Sequence, residues 1–310
     1  MRFSYQLIPE QPLEDLVSVI ELMDELGFWA CYSADETYHK DMWSLFGAAA
    51  TRTSRLRMGP EVTHVILKDP TIIAQQVATL DELTHGRAEL VFSTGNLAML
   101  KQYGVVLAGS NPIARLREAH HVLRTFLAHG SIDFAGEYYS YAGLFTAARP
   151  VQDPFPIKMG AMRGPRSFEL AGEIADGLHT AAAYSREALD FTAAAFRRGA
   201  ERAGRDWRSL DLADNPLGAI AADPEPAREA ARILAAFYIA SMPRELLARH
   251  GIDSSDVQSI VDAFAGGDVG GALELASPEL GATLSVAGHP VTGYKKSSRT
   301  FNRPASTTSS

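Results

Sequence analysis

The 310-residue sequence contains a single cysteine, Cys31, and this scarcity excludes several classes of protein. One cysteine cannot form a disulfide within the chain, nor can it supply a cysteine-based metal cluster. Cys31 lies in the apolar run from Phe28 to Tyr32, where a small core residue is a simpler interpretation than a nucleophile.

The sequence also lacks long apolar runs and an excess of basic residues. No stretch approaches the roughly 20 apolar residues of a membrane span, and Met1 to Pro9 lacks the apolar core of a signal peptide. The net charge of -8 argues against a surface for nucleic acid or anionic membranes. We therefore expect a cytoplasmic protein whose partner is a small molecule, with no nucleic-acid or membrane partner.

Several catalytic motifs are absent as well. The chain has no G-x-G-x-x-G, no Walker loop, no zinc-type spacing of histidine and cysteine, and no G-x-S-x-G elbow. No motif in the sequence therefore indicates a nucleophilic hydrolase.

What the sequence does contain is a repeat of strand and helix. Apolar residues make up 46% of the chain, which is enough for a large core. Apolar strands are predicted at Phe3 to Ile8, Phe28 to Ser33, Leu56 to Ile66, Ala88 to Phe92, Pro156 to Met159, Gly177 to Ala182 and Leu210 to Ala221. Each is followed by a helical pattern, and helix starts are predicted at Asp69-Pro70, Asn111-Pro112 and Asp223-Pro224, where a capping residue precedes proline. The repeat of about 35 residues predicts a (β/α)8 barrel. An open doubly wound sheet is the alternative, because periodicity does not show closure.

The repeat is interrupted in places. Residues 1–290 are predicted to form one barrel domain, with excursions near 131–145, which reads as a hairpin, and near 240–280. Gly59-Pro60 predicts a break or bulge in the third strand, because proline lacks a ladder donor and glycine weakens pairing. Residues 291–310 are predicted to be a disordered tail, since they cannot bury enough apolar surface.

The eighth βα unit appears only as a weak pattern and is either missing or atypical. Ala282 to Ala287 is the only late run with strand character. An uncovered sheet edge invites pairing with another chain. We therefore expect Thr283 to Val286 or a second subunit to cover the gap, and we expect a homo-oligomer.

Polar side chains at the carboxyl ends of barrel strands mark the candidate site, because those ends share one face. They are Gln6, Asp35, Glu36, Thr63, His64, Ser93, Asn96, Arg163, His179 and Thr180. A lone histidine such as His64 is more often a structural group than a catalyst. Asp35 and Glu36 cannot both face the site from an extended segment, because neighbouring side chains point apart.

A glycine-rich loop, GAMRGPRS at 160–167, links a strand to a helix. Backbone N–H groups and the helix N-terminus favour an anion, and Arg163, Arg166 and Lys158 can add charge. The loop predicts a phosphate site, with an ordinary strand-to-helix turn as the alternative.

These stretches resemble the bacterial luciferase-like superfamily. The matching motifs are DETY at 35–38, MGPEVT at 58–63 with DP at 69–70, ATLDEL at 78–83, GRA at 86–88, GAMRGP at 160–165 and ELAGEIADG at 169–177. They are most similar to the deazaflavin-dependent branch typified by methylenetetrahydromethanopterin reductase. The resemblance covers about residues 1–290.

The resemblance implies a barrel that binds a cofactor, coenzyme F420, at its C-terminal mouth. It implies a third-strand bulge with a non-prolyl cis peptide at Glu61-Val62 behind the deazaflavin ring. The implied cofactor-binding residues are Asp35, Glu61, Val62, Thr63, Ser93, Gly95, Asn96, Gly160, Ala161, Met162, Arg163, Gly164, Pro165, Arg166 and His179. The implied catalytic residues are Glu36, Asp35 and Asn96.

Together these features predict an F420-dependent oxidoreductase that reduces a C=N or C=C bond by hydride transfer. Glu36 is the expected proton donor, and Asp35 is expected to orient it. Asn96 stands where dehydrogenases of the branch carry an acid, and an amide cannot exchange a proton as a carboxyl does. The alternatives are an FMN-dependent monooxygenase of the same superfamily and an inactive cofactor-binding relative.

Overall fold

The structure is a computed structural model that describes residues 2–95, 97–107, 109–162, 164–181, 184–240 and 242–290. The predicted disordered tail and two predicted site residues, Asn96 and Arg163, lie outside these ranges. No helix within them is long and apolar enough to span a membrane.

The strands of the described residues follow the predicted order. They are β1 Ser4–Leu7, β2 Ala30–Ser33, β3 Arg57–His64, β4 Val91–Ser93, β5 Ser131–Ala135, β6 Ser140–Phe145, β7 Lys158–Ala161, β8 Gly177–Ala181, β9 Asp211–Asn215, β10 Leu217–Ile220 and β11 Ser285–Gly288. A seven-stranded sheet has the order β1-β2-β3-β4-β7-β8-β9. The four neighbouring pairs from β1 to β7 run parallel, as strands of a (β/α) repeat do.

Helices follow the sheet strands at the predicted places. They are α1 Leu13–Leu26, α2 Met42–Ala50, α3 Pro70–Leu83, α4 Leu97–Gln102, α5 Pro112–His129, α6 Pro165–Ile174, α7 Arg186–Arg202, α8 Pro224–Ile239, α9 Arg244–Arg249, α10 Gln258–Ala265, α11 Val269–Leu275 and α12 Pro278–Thr283. The predicted starts of α3, α5 and α8 are confirmed, because Asp69, Asn111 and Asp223 each accept a backbone hydrogen bond as N-caps.

The chain divides into two compact units. The first comprises Met1–Gly160, Glu169–His179 and Gly199–Asp211, and the second takes Ala161–Phe168, Thr180–Arg198 and the chain from Leu212 onward. In the first unit, Ile20, Phe46, Ile73 and Phe92 are fully buried between helices and sheet. In the second, a core of its own includes the fully buried Ala235, Ile239 and Leu284.

The third strand corrects one prediction. β3 runs from Arg57 to His64 without a break at Gly59-Pro60, and Pro60 stays in register with Ser33 of β2. The irregularity lies further along, between Glu61 and Thr63. Gly59 has another role, because a Cβ there would lie 2.0 Å from the carbonyl oxygen of Glu89. Glycine therefore permits a close backbone approach at this point.

The excursion near 131–145 and the late run with strand character both form strands in the structure. The predicted hairpin is confirmed, since β5 and β6 pair antiparallel. A late strand also exists: β11 pairs in parallel with β10, from Leu217 opposite Ser285 to Ile220 opposite Gly288. The run Ala282 to Ala287 therefore contributes most of a strand, β11, which ends at Gly288 and forms a separate two-stranded sheet with β10 of the same unit.

Candidate cofactor and active site

The centre of the candidate site is the irregular stretch of β3. The peptide bond between Glu61 and Val62 is cis, as the family resemblance implied. Two neighbours hold the backbone on either side of that bond. The Gln6 amide donates to the Glu61 carbonyl at 2.7 Å, and the backbone N–H of Asp35 donates to the Val62 carbonyl at 3.2 Å. Strand β1 and the segment just after β2 thus hold the bulge.

The side chain of Val62 requires glycine on β7, two strands away in the sheet. It packs against a buried cluster of Ala30, Tyr32 and Val91. A Cβ added at Gly160 would lie 2.3 Å from Cγ1 of Val62, which is far inside van der Waals contact. The first glycine of the predicted phosphate loop therefore serves the bulge. Gly164 differs, because a Cβ there meets no atom of the described residues within 4 Å, apart from its neighbours in the chain.

This difference predicts opposite behaviour for two glycine substitutions. Gly160→Ala is expected to lower the free energy of unfolding by about 1–3 kcal/mol, because Val62 must move. Gly164→Ala is expected to change it by less than about 0.5 kcal/mol and to weaken only cofactor binding, because its methyl enters open space. Chemical denaturation and cofactor titration of both variants measure the two effects. A Gly160→Ala protein as stable as wild type would contradict this role of Gly160.

Asp35 at the end of β2 is the centre of a polar cluster. Its Oδ2 accepts hydrogen bonds from Thr63 Oγ1 at 2.7 Å and from Trp43 Nε1 at 3.1 Å, and it forms an ion pair with Lys68. Burial opposes ionisation of this carboxyl, but the Lys68 charge and these hydrogen bonds outweigh it and lower the pKa of Asp35. Asp35 is therefore ionised near neutral pH and suits an orienting role better than proton donation.

Glu36 lies next to this cluster on a half-buried loop. The loop is fastened to the α4 region, because Tyr38 donates to Gln102 at 2.8 Å and Tyr103 donates to Thr37 at 3.1 Å. Tyr38 and Tyr103 are themselves largely exposed. Glu36 thus sits on an anchored loop beside an ionised aspartate and exposed aromatic rings.

The end of β4 faces the end of β3. The backbone N–H of Gly95 donates to Ser93 Oγ at 2.9 Å, and Gly95 has a φ of 97° that favours glycine. A Cβ there would also lie 2.7 Å from Cβ of His64. Two buried polar atoms at the ends of β3 and β2, Nδ1 of His64 and Oγ of Ser33, have no hydrogen-bond partner among the described residues. A polar cofactor group would satisfy such atoms.

A buried network of charges lies around the bulge. The Lys158 ammonium contacts Glu89 at 2.6 Å and Asp211 at 2.7 Å, and Arg57 forms a further ion pair with Glu89. His179 approaches Glu61 with Nδ1 at 3.2 Å. The pKa of Glu89 and the pKa of Asp211 both lie below the usual carboxyl value. Burial alone would raise them, but the nearby cations outweigh the effect of burial.

The network corrects one charge assignment. Lys158 was expected to join the arginines of the phosphate loop, yet its side chain is only 6% exposed and is paired with two carboxylates. That prediction is wrong, because the first residue of β7 points into the core. His179 and Glu61 also turn their side chains toward each other within this network. Their predicted contact with the cofactor stays a prediction.

The rest of the phosphate loop belongs to the second unit. Helix α6 begins at Pro165, and the backbone N–H of Phe168 donates to the Gly164 carbonyl at 3.4 Å. Arg166 is exposed, whereas Met162 packs against the apolar core of this unit. Ala161 is half-buried at the end of β7. The open space around Gly164 is consistent with an anion-binding site, and the phosphate site at this loop stays a prediction.

Sequence reasoning missed several residues of the site. Trp43 and Lys68, which hold Asp35, lie on other elements and follow no motif. Lys68 also lies 5.5 Å from the Trp43 ring centroid. Glu89 and Asp211 could have been noticed as acids within apolar strand patterns, since buried acids need partners.

Comparison with known proteins gives consistent matches. The family described as luciferase-like monooxygenase matches residues 1–297. The 5,10-methylenetetrahydromethanopterin reductase of Methanopyrus kandleri is 29% identical over 307 residues, covering 95% of this chain and 87% of that protein. The F420-dependent glucose-6-phosphate dehydrogenase of Nakamurella multipartita is 32% identical over 255 residues, covering 77% and 74%.

A solved structure shows the same fold. The coenzyme F420-dependent tetrahydromethanopterin reductase from Methanopyrus kandleri superposes with a TM-score of 0.85 at 28% identity, covering 95% of this chain and 88% of that chain. The prediction of a luciferase-like (β/α)8 barrel is thereby confirmed.

Proposed function

The chain belongs to the luciferase-like monooxygenase family, and from this membership we propose that it is an F420-dependent oxidoreductase that reduces a C=N or C=C bond of a small molecule. The observation that carries the proposal is the Glu61-Val62 bulge, held by Gln6 and Asp35 and packed against Gly160. A solved structure and a relative that are both named for F420 add support, because they cover 95% and 77% of this chain.

When bound, reduced F420 supplies a hydride from its deazaflavin ring, and the protein supplies position and protons. Val62 would lie behind the ring, and the unpartnered His64 and Ser33 atoms fit its polar groups. The pKa of Asp35 lies below its usual range, because Lys68, Thr63 and Trp43 outweigh the cost of burial. Asp35 thereby holds its loop in place and leaves proton donation to the next residue, Glu36.

Replacement of the proposed donor should separate chemistry from binding. Glu36→Gln is expected to lower kcat by about 10²- to 10⁴-fold, because an amide cannot donate the proton, with little change in cofactor affinity. Glu25→Gln, on the exposed face of α1, is the matched control and should leave kcat unchanged. Steady-state kinetics and cofactor titration measure both effects. Unchanged turnover in Glu36→Gln removes this residue from the mechanism.

The second candidate is an FMN-dependent monooxygenase. The family description itself favours it, and a flavin phosphate would use the same predicted seat around Gly164 and Arg166. A deazaflavin carries carbon where flavin has N5, so it transfers hydride without activating oxygen. An inactive cofactor-binding relative is the third candidate.

A binding experiment separates the first two candidates; an inactive relative that binds F420 differs from the proposed enzyme only in turnover. Oxidised F420 and FMN are titrated separately into purified protein, and their absorbance and fluorescence are followed. The proposed function predicts saturable binding of F420 and much weaker binding of FMN, because the exposed Arg166 and the predicted Arg163 suit an extended anionic cofactor. Binding of FMN in preference to F420 would favour the monooxygenase.

We also propose that the chain forms a homo-oligomer. Helix α1 exposes Val19, Leu22 and Leu26, which recur at helical spacing and make an apolar stripe on the first unit. Light scattering coupled to gel filtration is expected to give at least twice the mass of the chain. A monomer at micromolar concentration would contradict this proposal.

A further inference from the structure

We propose that His179 is a positioning residue for the cofactor ring: as an imidazolium it holds the Glu61 carboxylate and thereby the Glu61-Val62 bulge. The inference rests on the proposed function for its consequence in catalysis. Its structural part, the coupling of His179 to Val62, can be tested without any cofactor.

The geometry of the ring points to the charged form. Nδ1 of His179 lies 3.2 Å from Oε1 of Glu61, and Nε2 lies 3.8 Å from Oδ2 of Asp211. The side chain is only 4% exposed, so water cannot easily replace either carboxylate. A neutral imidazole carries one N–H and one lone pair, and a lone pair facing a buried carboxylate is repulsive. The imidazolium carries an N–H on both nitrogens and a positive charge, so it replaces this repulsion by electrostatic attraction to both carboxylates, although neither nitrogen has full hydrogen-bond geometry.

Charge balance leads to the same conclusion. The charged groups packed around the ring come from four parts of the first unit: Arg57 and Glu61 of β3, Glu89 before β4, Lys158 of β7 and Asp211 of β9. These groups comprise three carboxylates and two cations, and a third cation, the half-exposed Arg2, contacts Asp211 from the surface at 2.5 Å. Because water screens Arg2, a protonated His179 is the group that completes the compensation of the buried carboxylates. The edge-on ring of Tyr32, 5.3 Å away, completes the surroundings.

The protonation equilibrium agrees with this geometry. Burial alone would lower the pKa of His179, but the charge of Glu61 and the close polar contacts with Asp211 and Glu61 outweigh it and raise the pKa to about 9. The imidazolium therefore persists through neutral pH and is lost only in alkaline solution.

The link to function runs through Glu61. Its carbonyl is held by Gln6 and its carboxylate by His179, so both ends of the residue before Val62 are fixed. Without the imidazolium, the Glu61 and Asp211 carboxylates lie on either side of the ring position, and the remaining cations compensate less of their negative charge. The Glu61 side chain should then turn away from Asp211. Val62 is the next residue and packs tightly against Gly160, so we expect its side chain to be displaced when Glu61 moves.

The first test uses cofactor-free protein labelled with ¹³C at valine methyl groups. The Val62 methyl resonances are expected to shift with pH along one transition centred near 9, where His179 loses its proton. Val122, fully buried in α5 away from the network, is the control and should not follow that transition. In His179→Gln the Val62 transition should disappear. Val62 resonances that stay constant through this pH range in wild-type protein would overturn the inference, whether or not the variant folds.

The second test measures catalysis against pH. His179→Gln is expected to lower kcat by about 10- to 100-fold while KM changes less than about threefold, because the ring support is displaced. Wild-type kcat should fall above the His179 transition, and the variant should lack that alkaline limb. Equal pH profiles in the two proteins would overturn the catalytic part. If F420 supports no turnover but Val62 still titrates, the proposed function fails and the coupling of His179 to Val62 stands.

Discussion

Lys158→Met is expected to lower the free energy of unfolding by about 3–5 kcal/mol, because it removes the buried cation that Glu89 and Asp211 share and leaves their charges only partly compensated. The Lys158 ammonium contacts Glu89 and Asp211 at 2.6 and 2.7 Å, and the Glu89 side chain is only 3% exposed. Methionine has similar length and preserves packing, so the lost charge dominates the effect. Urea denaturation followed by circular dichroism measures it.

An exposed ion pair provides the matched control. Arg202 contacts Glu169 at 3.3 Å, but its side chain is 58% exposed. Water screens that pair, so Arg202→Met should cost less than about 1 kcal/mol. If the two variants lose equal stability, the network around Lys158 is not the buried, charge-compensated set described above.

The pH dependence of the same variant gives an independent check. The pKa of Glu89 and of Asp211 is raised by burial, but Lys158 and its neighbouring donors lower it below the ordinary value. A depressed carboxyl pKa stabilises the fold above its unfolded value of about 4, and that stabilisation is lost as pH falls. The stability gap between wild type and Lys158→Met should therefore be largest near neutral pH and shrink in acid.

Deletion of the chain from Gly281 onward is expected to abolish soluble expression. The deletion removes β11, which pairs with β10, and with it the fully buried Leu284. Gly281 itself packs closely on α8, since a Cβ there would lie 2.8 Å from Cα of Arg232. The deletion would leave β10 with an open edge beside an uncovered apolar core, and such edges aggregate.

A shorter deletion is the control for that experiment. Removal of Lys295 to Ser310, which composition predicts to be a disordered tail, should leave the yield and melting temperature of the protein unchanged. A soluble, cofactor-binding protein that ends before Gly281 would show that β11 is dispensable.

Local signals explain how much of the fold the sequence could predict. The N-caps Asp69, Asn111 and Asp223, each followed by proline, fixed three helix starts correctly. The break predicted at Gly59-Pro60 is wrong. Glycine is needed at position 59 because the backbone of Glu89, thirty residues later in the chain, approaches too closely for a side chain. Such a contact leaves no trace in local composition.

The same distinction between local and long-range signals applies to the candidate site. Residues at strand ends, such as Asp35 and Thr63, could be predicted because a parallel sheet brings those ends together. The partners of Lys158 and His179 could not, since the pairs join elements far apart in the chain and depend on register. The interpretation of Gly160 as a phosphate contact missed Val62 for that reason.

The central claim is hydride transfer from reduced F420, and a stopped-flow experiment without oxygen tests it most directly. Reduced F420 is mixed with the protein and a panel of small molecules with C=N or C=C bonds, and the deazaflavin absorbance is followed. The proposed function predicts that at least one acceptor restores the oxidised absorbance, with one molecule reduced per F420 oxidised and no need for oxygen. Failure of every acceptor, together with oxygen-dependent turnover on reduced FMN, would contradict it.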